Sequence, residues 1–267
     1  MKTISVLGCG WLGRPLAHRL LLEGYHVHGA TTSEGKLTAL EAESIIPFLI
    51  KIEAQKITGD WVGFTRKTDV LMVNIPPSMR RQLPAEFVQS MKNLCALIEK
   101  STIEQVIFVS STSVFQDQAK VFSEEDKPKP DTENGQALLE VEEMFFKIPS
   151  VKTTVIRFGG LIGSDRHPVK FLSGRLDVPA PKSVVNLIHL DDCIEIILMI
   201  IQQNISGEIL HGVAPFHPTR EQYYTQKAIE LHLPLPMFNT KDLFEGKTII
   251  SDKLTTQLGY RFLKPEL

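Results

Sequence analysis

The sequence predicts an α/β protein, in which a doubly wound parallel β-sheet is followed by a small C-terminal cap region. Through the first 160 residues, short runs rich in Val, Ile, Leu and Phe alternate with longer segments of helical periodicity. This alternation is typical of parallel βαβ units. The apolar runs are almost uninterrupted, as in strands that helices cover on both faces. The 267 residues suffice for one large domain, or for a large domain and a small one.

Six apolar runs predict the strands of this sheet, and three segments between them predict helices. The helical segments are residues 11–23, 84–100 and 132–146. In the last of these, Leu138 and Val141 belong to an apolar face of helical spacing. The acidic residues 124–131 predict a solvated loop. The strands are expected at residues 3–7, 26–30, 48–52, 70–74, 105–110 and 153–158.

The alternation stops at residue 160, and residues 161–267 predict a small cap for a substrate-binding cleft. A helix is expected at residues 191–203, with Asp191 as its N-cap. Another follows Pro218, where Thr219 and Gln222 have the spacing of a capping box. Because the cap is too short for an independent domain, we expect residues 186–203 to pack back onto the first 160 residues.

The charge balance excludes several classes of function. With 29 basic and 31 acidic side chains, the net charge is −2, and nucleic-acid-binding domains are far more basic. No apolar stretch approaches the roughly 20 residues that span a bilayer. Three widely spaced cysteines suit reduced thiols. We therefore expect a cytoplasmic protein with a small-molecule substrate and neither a nucleic-acid nor a membrane partner. The sequence neither predicts nor excludes an oligomer.

A glycine-rich loop directly after the first strand predicts a Rossmann-type dinucleotide-binding domain in residues 1–160. Gly8 permits the tight turn, Gly10 lets the backbone approach a pyrophosphate, and Gly13 allows close packing of helix and strand. Trp11 and Leu12 complete the loop, and the helix N-terminus behind them offers free N–H groups to the phosphates. The motif has strand, helix and second strand in the required order, so we expect NAD or NADP as cofactor.

The end of the second strand favours NADP and leaves NAD open. An NAD site usually places an acidic residue there to hold the ribose 2′-hydroxyl. This chain has Thr31, Thr32 and Ser33, with Lys36 close behind. The hydroxyl groups of these residues and the Lys36 ammonium suit a 2′-phosphate. Ser33 equally suits a helix cap, however, and this segment contains no arginine.

The fourth strand runs into a second candidate wall of the cofactor site. It ends in Asn74, Ile75 and Pro76, and Pro77 follows. Ligands of parallel sheets lie beyond the carboxyl ends of the strands. The paired prolines therefore predict a rigid backbone wall beside the cofactor.

Three further segments carry a resemblance to a known family. They are VSSTSVF at residues 109–115, VIRFGGLIG at 155–163 and VNLIHLDD at 185–192. Together with the glycine loop, they resemble the extended short-chain dehydrogenases/reductases, the NAD-dependent epimerase/dehydratase group. The resemblance runs in order over nearly the whole chain. It implies a Rossmann domain that binds NAD(P), a C-terminal portion that covers the substrate, and a substrate oxygen held by the side chain at Ser111.

The chain departs from that family where the proton is transferred. The family uses a Tyr-x-x-x-Lys pair, and the matching positions here hold Asn134 and Leu138, with Glu142 further along. A carboxamide exchanges no proton near neutral pH, and leucine supplies no charge. Losing general acid–base assistance typically costs about 10²–10⁴-fold in rate. The chain is therefore an atypical member by this resemblance, with Ser111 and Asn134 as the candidate catalytic positions.

The remaining candidates have a functional and a structural interpretation each. Ser111 either orients a substrate oxygen or satisfies backbone groups at the end of its strand. Phe115, Arg157 and His189 lie in the family-matching segments and are candidate substrate contacts. Arg157 and His189 equally suit a role in tying the two parts of the chain together.

Other chemistries fit the sequence poorly. The eight histidines show no ligand spacing with cysteines or acids, so no metal is expected. A hydrolase triad would need a nucleophile elbow, and no GxSxG is present. Two functions remain open. One is an atypical oxidoreductase or epimerase that acts on a small polar or sugar-nucleotide-like substrate. The other is a dinucleotide-binding sensor or scaffold that has lost the chemistry.

Overall fold

A seven-stranded parallel sheet forms the centre of the protein. The computed structural model describes residues 2–77 and 83–267. The sheet order β3-β2-β1-β6-β7-β9-β12 is that of a doubly wound Rossmann sheet with one further strand, which confirms the predicted fold class. The thirteen strands in the described residues are β1 Thr3–Leu7, β2 His26–Thr31, β3 Ile46–Leu49, β4 Lys51–Ile52, β5 Ile57–Thr58, β6 Val70–Val73, β7 Gln105–Ser111, β8 Val121–Phe122, β9 Lys152–Phe158, β10 Gly160–Ile162, β11 Leu187–His189, β12 Ile209–Gly212 and β13 Thr248–Ile249.

Helices cover both faces of the sheet. The eight in the described residues are α1 Gly13–Leu22, α2 Leu37–Ala42, α3 Trp61–Phe64, α4 Pro84–Glu99, α5 Glu133–Phe146, α6 Val169–Leu172, α7 Leu190–Gln202 and α8 Arg220–Glu230. On one face, Leu16 and Leu20 of α1 pack with Ile196 and Ile200 of α7. The other face is covered by α4 and α5, whose apolar stripes include Leu138. Within the described residues, none of these helices has the length and apolar character needed to cross a membrane.

The sheet differs from the sequence prediction at both edges. The third strand starts two residues earlier than expected, and Lys51–Ile52 leaves the sheet to form a separate hairpin with Ile57–Thr58. The seventh strand, β12, was not predicted; it pairs in parallel with β9. The sheet therefore extends past the expected boundary at residue 160, because one edge strand comes from the C-terminal part of the chain.

The cap region has a small core of its own. β10 and β11 pair in parallel, and α6 packs near α8 around Val169, Tyr223 and Ala228. Thr219 caps α8, and its capping box with Gln222 is present as the spacing predicts. The N-cap residue of helix α7 was predicted wrongly. His189, rather than Asp191, is the N-cap, and its Nδ1 accepts a hydrogen bond of 3.2 Å from the Asp191 amide.

Part of the acidic loop at residues 124–131 is buried rather than solvated. Glu124 is only 8% exposed. One of its carboxylate oxygens accepts a hydrogen bond of 3.1 Å from the backbone N–H of His211 on β12. Burial raises the pKa of the Glu124 carboxyl. The expectation was wrong here because local sequence does not reveal that the edge strand runs beside this loop.

Candidate functional site

A cleft of about 570 Å³ opens at the carboxyl edge of the sheet, where ligands of doubly wound sheets bind. Its volume lies within the usual range of small-molecule and cofactor sites. The structure brings most of the predicted cofactor residues together in its lining, with one catalytic candidate. These are Gly8, Gly10, Trp11, Leu12, Thr31, Thr32, Lys36, Asn74, Ile75, Pro76 and Ser111. Gly13 and Ser33 do not line it.

The glycine loop is held in shape by its own backbone and by Asn74. Gly8 has a φ of +110°, and a Cβ there would collide with the Asn74 carbonyl oxygen. At Gly13, a Cβ would collide with the carbonyl oxygen of Gly8. Asn74 donates a side-chain hydrogen bond of 3.1 Å to that same carbonyl. Gly10 has open space where its Cβ would be, so the loop backbone is accessible from the cleft.

The end of β2 presents hydroxyl groups and one ammonium to the cleft. Thr31, Thr32 and Lys36 line it, and Lys36 is exposed. Thr31 is buried, and its hydroxyl accepts a hydrogen bond of 3.3 Å from the Ser33 amide. Ser33 is exposed and its side chain makes no cap hydrogen bond, and no carboxylate of the described residues lines this end of the cleft.

Two apolar side chains that the sequence did not single out, Ile50 and Ile52, line the cleft together with the predicted Ile75. Ile50 and Ile52 follow β3, and Ile75 follows β6. Ile50 lies beside the hydroxyl-bearing end of β2, since its backbone N–H donates a hydrogen bond of 3.0 Å to the Thr31 carbonyl. Flat apolar walls of this kind suit a planar ring system. The end of the third strand was the feature of the sequence that could have identified Ile50 and Ile52. The prediction started that strand two residues too late.

Arg166 was also missed, because its position depends on a contact between distant parts of the chain. Residues 163–166 form a tight turn with two backbone hydrogen bonds between Gly163 and Arg166. This turn packs on Trp11 of the glycine loop. The Trp11 indole N–H donates to a carboxylate oxygen of Asp165 at 2.8 Å, and the Arg166 guanidinium carbon lies 5.0 Å from the ring centroid.

Ser111 serves the local backbone and the cleft at once. It ends β7, and its hydroxyl oxygen accepts a hydrogen bond of 3.1 Å from the Ser113 amide, which caps the short 3₁₀ turn Thr112–Val114. The side chain still lines the cleft. Since the oxygen accepts in this bond, the hydroxyl proton remains for donation to an acceptor in the cleft.

Asn134 and Leu138 lie on the first two turns of α5, which Thr132 caps. Leu138 is 3% exposed and has a double role, since it belongs to the apolar core and also lines the cleft. Asn134 is half-buried and is not among the lining residues. The position equivalent to the family's lysine therefore faces the cleft with an aliphatic side chain.

The three candidate substrate contacts lie outside the cleft lining. Phe115 is fully buried against Phe122 and is inaccessible to a substrate, so that expectation was wrong. Arg157 is 2% exposed, and its guanidinium donates to both carboxylate oxygens of Glu142 in an ion pair with a closest distance of 2.7 Å. This pair ties α5 to the sheet, which is the structural role that the sequence left open for Arg157. His189 caps α7, as described above.

Among the described residues of the lining, the ionisable side chains are Cys9, Lys36 and Arg166. Burial raises the pKa of the Cys9 thiol to about 12, so this cysteine stays protonated and unreactive. The described residues contain no group of three or more His, Cys, Asp and Glu side chains that would hold a metal ion. Apart from Lys36 and Arg166, the described part of the lining offers hydroxyl groups as its proton donors.

Comparison with known proteins gives relatives of clear sequence similarity and many proteins of similar structure. No model of a protein family matches the chain. Protein YeeZ of Escherichia coli strain K12 is 32% identical over 270 aligned residues, which cover 100% of this chain and 97% of that protein. A conserved protein of unknown function from Silicibacter pomeroyi superposes with a TM-score of 0.80 at 20% identity, covering 100% of this chain and 95% of that one.

Sugar-nucleotide epimerases share the same fold. UDP-glucuronic acid 4-epimerase from Bacillus cereus, solved in complex with NAD, has a TM-score of 0.78 at 18% identity and covers 98% of this chain and 94% of its own. UDP-N-acetylglucosamine 4-epimerase from the same organism has a TM-score of 0.79 at 13% identity, with 98% and 94% covered. The fold is therefore the epimerase/dehydratase fold of the extended short-chain dehydrogenases/reductases, as the sequence motifs indicate.

Proposed function

Because the chain belongs to the family of Protein YeeZ and has the epimerase/dehydratase fold, we propose that it binds a nicotinamide dinucleotide in its cleft. The observation that carries this proposal is the glycine loop at the start of α1, whose Gly8 carbonyl accepts a hydrogen bond from the Asn74 side chain and whose Gly10 leaves the backbone uncovered. A backbone that no side chain covers, at a helix N-terminus, suits a pyrophosphate. A neighbour of the same fold was solved with NAD, which supports the same class of cofactor.

Each part of such a cofactor has a proposed place along the lining. The pyrophosphate would lie at the N-terminus of α1, against Gly10 and Trp11. Thr31, Thr32 and Lys36 would bind the adenosine ribose, and the ammonium favours NADP over NAD because it would pair with a 2′-phosphate. The apolar wall of Ile50, Ile52 and Ile75 would cover the adenine. The nicotinamide end would then lie toward Ser111 and Leu138.

For the reaction, we favour an atypical oxidoreductase or epimerase that acts on a small polar or sugar-nucleotide-like substrate. Ser111 supports this assignment, since it lines the cleft and has a hydroxyl proton to donate to a substrate oxygen. Its role would be to orient and polarise that oxygen. Three unpaired cysteines support our placing the protein in the reducing cytoplasm.

A second function, a sensor or scaffold that binds the dinucleotide without converting a substrate, is favoured by Leu138. This side chain lines the cleft where the family's lysine would both lower the pKa of the tyrosine and grip the nicotinamide ribose. An aliphatic group does neither. Binding would persist through the glycine loop, whereas the chemistry would not.

The binding proposal is tested by titration with NADP⁺, NADPH, NAD⁺ and NADH. Trp61→Phe leaves Trp11 as the only tryptophan, so its fluorescence reports on the glycine loop directly. We expect quenching, and a thermal shift that grows with ligand concentration; saturation at 100 times Kd stabilises the folded state by about 2.7 kcal/mol. No response to any of the four dinucleotides would overturn the proposal.

The two functions are separated by a turnover assay. With a panel of carbonyl compounds and sugar nucleotides, an oxidoreductase oxidises NADPH in a substrate-dependent way, and Ser111→Ala lowers that rate without weakening cofactor binding. A protein that binds NADPH, oxidises none of it across the panel and forms no epimerised product is the sensor. Epimerase activity is followed on the same sugar nucleotides by product analysis.

A further inference from the structure

Arg166 differs from the arginines around it in having no acidic partner. Arg14, one residue past the glycine loop, pairs with Glu43, and Arg19 pairs with Glu23 and Glu195. The buried Arg157 is bound to Glu142. Among the described residues, the Arg166 guanidinium has neither an ion pair nor a side-chain hydrogen bond, although it lines the cleft. Its N–H donors are therefore available to a ligand.

The position of Arg166 is fixed by three contacts with one aromatic ring. Its guanidinium lies over the Trp11 indole at 5.0 Å, within the range of a cation–π interaction. The indole N–H is bound to Asp165 at 2.8 Å. Gly163 packs so closely on the ring edge that a Cβ there would approach the indole to 2.8 Å. The turn at residues 163–166 is thus anchored on the glycine loop itself.

We propose that Arg166 binds the pyrophosphate of the dinucleotide from the side opposite the N-terminus of α1. This inference rests on the proposed function. Trp11 is a member of the loop whose backbone would hold the pyrophosphate, so a guanidinium stacked on its ring lies at that end of the cleft. A planar guanidinium forms paired hydrogen bonds with phosphate oxygens. Trp11 is then a positioning residue, and the cap contributes a phosphate ligand to the Rossmann site.

ADP-ribose is the probe for this proposal, since it carries the pyrophosphate without the nicotinamide or a 2′-phosphate. We expect Arg166→Gln to weaken ADP-ribose binding about tenfold or more in isothermal titration calorimetry, because hydrogen bonds to a charged group are lost. Arg14→Gln is the matched control. It removes an equal charge from beside the same loop, but this guanidinium is already committed to Glu43, so we expect less than about a twofold change.

Adenosine, which lacks phosphates, separates phosphate binding from damage to the cleft, and its affinity is expected to be unchanged in Arg166→Gln. Equal binding of ADP-ribose by wild type and Arg166→Gln overturns the inference. So does a parallel loss for adenosine, or a loss seen only with NADP⁺. If the wild-type protein binds neither ADP-ribose nor any dinucleotide, the proposed function itself fails, and the two failures are thereby distinguished.

Discussion

Leu138 shows how one residue joins core packing to the chemistry of the cleft. Its side chain is buried with the apolar face of α5 and also forms part of the cleft wall. Any group that lines the cleft here is held rigidly, because the rest of the helix face is packed. A leucine in this position gives a dry, uncharged wall beside Ser111. The side chain that replaces the family's lysine is therefore placed as firmly as a lysine would be.

Lys36 is the residue on which the proposed preference for NADP rests. We predict that Lys36→Gln weakens NADP⁺ binding by about five- to tenfold, because an exposed ion pair with the 2′-phosphate is lost. NAD⁺ binding should change by less than about twofold. Titrations at one ionic strength measure both. Lys51→Gln, an exposed lysine outside the cleft lining, is the control. Equal losses for both cofactors would refute the assignment of Lys36.

His211 is predicted to make the folded state sensitive to acid. It is fully buried on β12, and burial lowers its pKa from 6.5 to about 4. The folded protein therefore takes up this proton at lower pH than the unfolded chain does. The contribution of His211 to the free energy of unfolding is fully present above pH 6.5. It decreases as the pH falls toward 4, and the loss from this group alone is up to about 3 kcal/mol. Glu124, whose pKa is raised, partly offsets the loss.

Urea unfolding between pH 4 and pH 7 measures this effect. His211→Gln should be less stable than wild type at pH 7, where it loses the hydrogen bond between His211 Nδ1 and the Ile250 carbonyl. Its free energy of unfolding should nevertheless fall less steeply toward pH 4. The exposed His26 provides the control variant His26→Gln, which should retain the wild-type pH profile. An unchanged profile in His211→Gln would show that other groups cause the acid sensitivity.

At the scale of elements, the helix ends show which local rules suffice. The Thr219–Gln222 capping box depends on residues three apart and forms as its spacing predicts. Thr132 caps α5 by accepting from the Gly135 amide at 3.1 Å. The start of α7 depends instead on contacts with residues distant in the sequence. Asp191 stays exposed, whereas Asp192 is fully buried, because the C-terminal tail packs on it from 60 residues away or more.

Asp192 is predicted to hold that tail in place. Its carboxylate accepts hydrogen bonds from the Tyr260 hydroxyl at 2.8 Å and from the amides of Leu263 and Lys264 at 2.7 and 3.1 Å. Asp192→Asn replaces an acceptor oxygen with a donor, so we expect a loss of about 2–4 kcal/mol in the free energy of unfolding. Hydrogen exchange should accelerate at the amides of residues 263 and 264.

Asp191→Asn is the matched control for this variant, since its side chain is half exposed and takes no bond from the tail. We expect its stability and the exchange of the tail amides to remain near wild type. Equal exchange rates at residues 263 and 264 in Asp192→Asn and wild type would contradict the role assigned to Asp192.

At the scale of the whole molecule, the two parts of the chain share one core. Ile196, Ile197 and Ile200 of α7 are fully buried against α1 and the sheet, and β12 supplies the edge strand beside β9. We predict that a fragment of residues 1–160 does not fold alone, because it lacks the helix that covers one face of its sheet. Circular dichroism during a urea titration should show no cooperative transition. A two-state transition like that of the full chain would contradict this prediction.

The sequence alone determined the fold class, and most of the cofactor residues that it predicted line the cleft. Periodicity, strand composition and capping depend on residues near one another in the chain, so the glycine loop and the ends of β2 and β6 were placed correctly. The same locality explains the resemblance to the extended short-chain dehydrogenases/reductases, because each of its motifs is a short continuous segment that includes or directly follows a strand. Parallel strands then bring the glycine loop and the segment around Ser111 together at one edge of the sheet.

Only the tertiary structure decided which of the remaining polar residues face the cleft. Arg157 and Phe115 lie in family-matching segments, yet both are buried, since α5 and β8 pack over them. Arg166 carries no motif and lines the cleft because a turn more than 150 residues from Trp11 packs on that ring. Contacts between residues so distant in the chain leave no periodic trace in the sequence, and they settle which side chains a ligand can reach.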